Sequence, residues 1–251
     1  MNVAARYALG LGDDALVLSQ RLCEWATRAP AIEEDIALMN IALDLLGQAR
    51  SLLSLGGSLE GRGRTEDDLA YLRQERDFYN FQLVELENGD FATTVARQLL
   101  FSAYQYELYQ VLSASSDAKF AAIATKAAKE VAYHRDHAAG WVARLGDGTD
   151  ESHARMEAGV REVWPYADEV FRPDPALTDL IAAGTAPEPG ALRAPWLDFV
   201  GEVLVDATLA VPSPAPAAAP GGGRQGIHTE PFGYLLAEMQ YLHRSYPGAT
   251  W

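Results

Sequence analysis

Between residues 117 and 145, Phe120, Ile123, Ala127, Glu130, His134, His137 and Trp141 recur at alternating spacings of three and four. That rhythm predicts a helix with all seven on one face. An apolar face is expected to be buried, and a carboxylate buried beside two imidazoles needs a metal, a ligand or a hydrogen-bonding partner to offset its desolvation.

The metal chemistry that suits a helical bundle is a two-metal carboxylate site. It takes a Glu from each of two helices and a Glu-x-x-His pair from each of the other two. Three positions before His134, His137, His228 and His243 stand Val131, His134, Gln225 and Gln240, none of them acidic. His153 follows Asp150 at the right interval, but beside GDGTD at a helix start, where a capping arrangement is the better reading. Glu130 has Tyr133 at the ligand position and His134 one residue further on. On an earlier helix Asp44 has Gly47 there, with no side chain at all. The preferred reading is that Glu130, His134, Asp44 and either Asn40 or Gln48 form a hydrogen-bond network, with His137 a packing or interface residue. An atypical metal site on Glu130 and His134 is the alternative. Gln20, Glu24, Gln105, Tyr106 and Glu107 are of ambiguous phase.

The elements that must position these residues follow from periodicity and caps. A first helix is expected from about Asp13 to Arg28, with Asp13 and Asp14 as acidic starters, Leu11, Leu18, Leu22 and Trp25 inward, and Pro30 as the break. A second, from Ala31, is expected to pack through Ile32, Ile36, Met39, Leu43, Leu46 and Leu53 and to stop at Gly56-Gly57. Shorter pieces fill 66–86, and Asn88-Gly89-Asp90 caps a long helix from Phe91 to about Ser113. Ser116-Asp117 caps the helix of the stripe, which ends at 145–148, and Thr149-Asp150 opens another toward Phe171. Arg193 to Ala210 reads as helical, and Leu235, Leu236, Met239 and Leu242 mark a final helix. With no alternating strand signal this is an all-α protein, a four-helix bundle with additional short helices, expected as a single domain over 1–251. VPSPAPAAAPGGG, residues 211–223, reads as a flexible Pro/Ala/Gly-rich loop, and the following GGGRQG as linker.

Composition excludes several classes. Of 251 residues, 49% are hydrophobic, enough for a substantial core, and 20 basic against 35 acidic residues give a net charge of -15, which speaks against nucleic-acid binding. The lone Cys23 rules out an internal disulfide framework and reads as core packing. No secretory leader or membrane-spanning stretch is apparent, so a cytoplasmic location is expected. Phosphate-loop, nucleophile-elbow and dinucleotide-binding motifs are missing from the sequence.

Five stretches taken in order, LGDDALVLSQRLCEW, DIALMNIALDLLGQAR, NGDFATTVARQ, KEVAYHRDHAAGWVARLGDGTDES and HTEPFGYLLAEMQYLHRSYPG, resemble the C-subunit (PaaC) family of bacterial phenylacetyl-CoA epoxidases over nearly the whole chain. The resemblance implies a ferritin-like fold and a place in phenylacetate breakdown, as a structural subunit without metal ligands or bound cofactor. Its implied partner is the related catalytic A subunit, which holds the di-iron centre and epoxidises the ring of phenylacetyl-CoA. Electrons would come from NADPH through a reductase subunit with FAD and an iron-sulfur cluster. The deficit at Gly47 and Tyr133 agrees with that role independently. Arg76, Asp77, Phe78, Tyr79 and Asn80 offer a cation, an amide and aromatic surfaces, so phenylacetyl-CoA could be met there at a subunit interface. The loop at 211–223 is longer and more proline-rich than is usual in that family. A free-standing helical binding protein is the remaining contrast.

Overall fold

The computed structural model describes residues 2–212, 219 and 221–249. Within them run nine α-helices and no strand: α1 Val3–Cys23, α2 Ile32–Glu60, α3 Glu66–Tyr71, α4 Phe91–Leu112, α5 Ala118–Gly146, α6 Asp150–Ala167, α7 Thr178–Ala182, α8 Arg193–Asp206 and α9 Glu230–Ser245. The chain is all-α with the ferritin-like helix complement. It divides into two compact units, residues 1–87 with 221–251 and residues 88–220.

The first unit is built on α1 packed along α2, with α3 and α9 added. α1 begins ten residues earlier than its sequence suggests, capped by Asn2, whose side chain accepts the Ala4 N–H. Asp13 and Asp14 are therefore not starters but lie mid-helix, fully buried. The glycines in YALGLGDD serve close approach rather than ending anything: a Cβ at Gly10 would stand 2.8 Å from Arg224 Nη1. Leu11, Leu18 and Leu22 are core as expected, while Cys23 closes the helix exposed and Trp25 is half-buried beyond it. Desolvation and the neighbouring Glu24 carboxylate push the Cys23 thiol pKa up.

α2 departs from expectation in which face it buries. Leu38, Ile41, Ala42, Leu45, Ala49 and Leu52 form its inner row with Leu53, whereas Ile32, Ile36, Leu43 and Leu46 are exposed and Met39 is half-buried. The helix also runs through Gly56-Gly57 and ends at Gly61, a left-handed cap at φ 68°. By length and apolar composition α2 is of the kind that can cross a membrane, although half of its most apolar window is buried in the protein.

In the second unit α4 packs against α5, α6 and α8. It is buried on nearly every side, including the polar Arg97, Gln98 and Gln105. Its predicted cap is present, Asp90 Oδ1 accepting the Thr93 N–H at 2.9 Å. Asp117 caps α5, and Thr149 with Ser152 forms a capping box on α6. Here the local signals and the structure agree. Of the loop expected at 211–223, residues 213–218 and 220 lie outside the described residues. Its glycine end does not behave as a linker: Gly223 is buried against the Asn80 carbonyl, and Gln82 Nε2 donates to the Gly221 carbonyl at 3.3 Å.

Candidate functional site

The positions where a two-metal bundle would carry ligands can be inspected one helix at a time. On α2, Asp44 is half-buried and Gly47 presents no side chain. Nothing crowds that glycine, since a Cβ there would meet no atom within 4 Å. Space for a ligand is present and the ligand is not.

On α5 the buried row is Phe120, Ala124, Ala127, Val131, His134, Ala138 and Val142. It has the period of the predicted stripe but is turned slightly about the axis, so Ile123, Glu130, His137 and Trp141 fall to its edge, half-buried. His134 is 2% exposed, whereas Glu130 keeps 22% of its side chain open and faces Lys126 at 3.8 Å. Tyr133, which holds the expected histidine position, is 50% exposed, with its ring against those of His134 and His137. His134 therefore points to the centre of the buried face and Glu130, about 40° round the helix, to its edge. Asn40 is exposed, whereas Gln48 and His134 are each buried. His153 accounts for itself through the Gly146 carbonyl, 2.7 Å from Nδ1. Among the described residues, no three His, Cys, Asp or Glu side chains gather as a metal site would require. Neither α2 at Gly47 nor α5 at Tyr133 supplies the His of a Glu-x-x-His pair.

The segment Arg76–Asn80 divides by burial. Phe78 and Asn80 are core residues at 0% exposure, Tyr79 is half-buried, and Arg76 and Asp77 reach solvent. Only the last three keep a surface to offer. The Phe78 ring lies under the Arg73 guanidinium at 4.0 Å and edge-on to Phe232.

What holds this segment is a charged clasp that sequence reading missed. Asp13 pairs with Arg73 and also accepts the Tyr79 N–H at 2.9 Å. Asp14 takes Arg224 Nη2 at 2.6 Å and the Phe81 N–H at 2.8 Å. Glu85, at 0% exposure, pairs with His228 and accepts from Thr229 N at 2.7 Å and Asn80 Nδ2 at 2.8 Å. His228 Nε2 meets the Phe78 carbonyl at 3.1 Å. Every carboxylate oxygen here accepts from at least one N–H or O–H donor, which is how buried charge is made tolerable. Burial outweighs Arg224 and the Phe81 N–H at Asp14 and pushes its pKa up to about 7. The arrangement is structural: it ties residues 73–85 and 221–229 to α1. The clue in the sequence is that Asp13-Asp14 has apolar helix on both sides, YALGLG before and ALVL after, so neither residue can be a terminus.

A family model described as phenylacetic acid catabolic protein matches residues 1–251. The chain is also 47% identical over 251 residues to the C subunit of the 1,2-phenylacetyl-CoA epoxidase of Escherichia coli (strain K12), a match covering 100% of both chains. These matches bear out the resemblance carried by the five sequence stretches. The chain thus belongs to the phenylacetic acid catabolic protein family and takes part in phenylacetate catabolism.

Proposed function

We propose that this chain is the non-catalytic structural subunit of a phenylacetyl-CoA epoxidase, supporting a related subunit that carries the di-iron centre. The observation that carries the reading is the pair of ligand positions without ligands. Gly47 has room for a side chain and has none, and Tyr133 stands half-exposed where an imidazole would be needed. Because a two-metal site needs a nearly full donor set, a chain so depleted serves by shape and surface. Full-length likeness to a protein named as the C subunit of such an epoxidase supports the same assignment. The di-iron would sit in the partner, and FAD and the iron-sulfur cluster in the reductase, all in the cytoplasm. The two compact units would work as one ferritin-like domain, which a single cooperative unfolding transition would support.

The test is reconstitution of phenylacetyl-CoA epoxidation from this chain, the reductase and the metal-bearing subunit. Turnover should require both oxygenase subunits, and Glu130→Gln or Asp44→Asn in this chain should change it less than about twofold, against abolition by ligand changes in the partner. Turnover by this chain with the reductase alone would overturn the reading. Arg76, exposed and cationic, is the member of the 76–80 segment suited to a CoA phosphate. Arg76→Ala should then raise KM for phenylacetyl-CoA with kcat unchanged, and an unaltered KM would remove substrate contact from the proposal.

A further inference from the structure

α2 carries two apolar stripes where a surface helix needs one. The inner stripe packs on α1. The outer one, Ile32, Ile36, Met39, Leu43 and Leu46, recurs at spacings of four, three, four and three and so keeps a single face. Ile32 is 72% exposed, Ile36 57% and Leu43 64%. A helix apolar on both sides is normally covered on both, and a row of long aliphatic side chains in water marks an interaction surface.

Charge identifies what covers it. The stripe is flanked by Glu33, Asp35 and Asp44, and the lone basic residue of α2, Arg50, already faces Glu66 at 3.5 Å. A second copy would bring carboxylates against carboxylates, and the chain as a whole carries a net charge of -15. A bilayer would have to accept a helix whose other face is packed on α1 and whose first turn is acidic, the reverse of the basic flanks that interfacial helices use. The surface that fits is a protein helix, apolar along its centre and edged by Lys and Arg.

We propose that the outer stripe of α2 is the docking face for such a partner subunit, with Leu43 near its centre. The proposal rests on the reading that this chain works within a multisubunit epoxidase, and it names the surface and the partner chemistry that reading leaves open. From Ile32 to Leu46 the helix rises about 21 Å, and a strip of that length and about 10 Å wide covers roughly 200 Å², well short of the roughly 800 Å² per partner of a standard interface. The stripe is therefore the apolar centre of a wider contact whose rim is polar.

The test is titration of the metal-bearing subunit with the full chain, by calorimetry or surface plasmon resonance. Leu43→Glu should weaken binding by at least about 30-fold, the hot-spot range expressed as affinity. Val205→Glu, at a residue 65% exposed on α8, should leave binding within about twofold of the parent. Circular dichroism confirms folding, and Ile36→Ser carries the same prediction if Leu43→Glu does not fold. Parental binding by both stripe variants would overturn the docking face while leaving the subunit reading intact. No binding by the parent chain would overturn both. Equal loss in Val205→Glu, a dimer of the parent chain abolished by Leu43→Glu, or stripe-dependent flotation with phosphatidylglycerol vesicles would each overturn the assignment.

Discussion

The carboxylates of α1 and those of α2 and α5 are used in opposite ways. Asp13 and Asp14 are fully buried and each of their oxygens accepts at least one hydrogen bond, so they pin neighbouring segments into place. Asp44 and Glu130 are only half-buried, and the residues a turn away that would complete a metal site are Gly47 and Tyr133. Buried charge density is therefore a poor guide to chemistry in this protein: where it is highest it holds the fold, and where metal ligands would be needed it is depleted.

The largest break in that comparison should come from Asp13→Ala. It strands the Arg73 guanidinium, 2% exposed, and the Tyr79 N–H, and should cost about 3–5 kcal/mol in urea unfolding. A loss comparable to that from Asp44→Ala would erase the distinction between the two sets.

Asp14 sharpens it through pH. Its carboxyl titrates near 7 in the folded chain against an ordinary value of 3.8, so the folded state holds the proton more tightly than the unfolded one. The stability it contributes is complete below about pH 4 and is lost as pH rises to about 7. Asp14→Asn keeps an oxygen for the Phe81 N–H and should remove that slope, read as the difference between urea midpoints at about pH 5 and pH 8. Parallel pH profiles for the parent and the variant would place Asp14 among ordinary carboxylates.

Two glycines of α2 give smaller effects of opposite sign. A Cβ at Gly57 would stand 2.5 Å from the Arg64 carbonyl oxygen, so Gly57→Ala should cost about 1–3 kcal/mol. Gly47→Ala meets nothing and gains helix propensity, so it should stabilise by about 0.5–1 kcal/mol. Thermal or urea unfolding reads both, and destabilisation by Gly47→Ala would mean that the open position is closed.

How much of this was legible in the sequence varied with the range of the signal. The caps Asp90, Asp117 and Thr149 act within three residues, and the helices they start were read correctly. On α2 the period was right and the face wrong, because both stripes are apolar and only the packing of α1 decides which is inner. α1 was cut short because glycine and aspartate read as punctuation, while their reason for being mid-helix lies 60 to 210 residues away at Arg73 and Arg224. That Gly47 and Tyr133 stand three residues after Asp44 and Glu130 was readable at once, since that spacing is local. The clasp was not, and Arg224 sat in a stretch that looked like linker.

The most direct test of the account is iron, manganese and zinc per chain by plasma mass spectrometry, on the chain purified alone, loaded anaerobically with ferrous iron and cleared of loose metal. The account predicts near-zero metal for the parent chain, with no change on Glu130→Ala. Roughly two metals per chain, the complement of a di-metal bundle, lost on Glu130→Ala or His134→Ala with the fold intact, would contradict it.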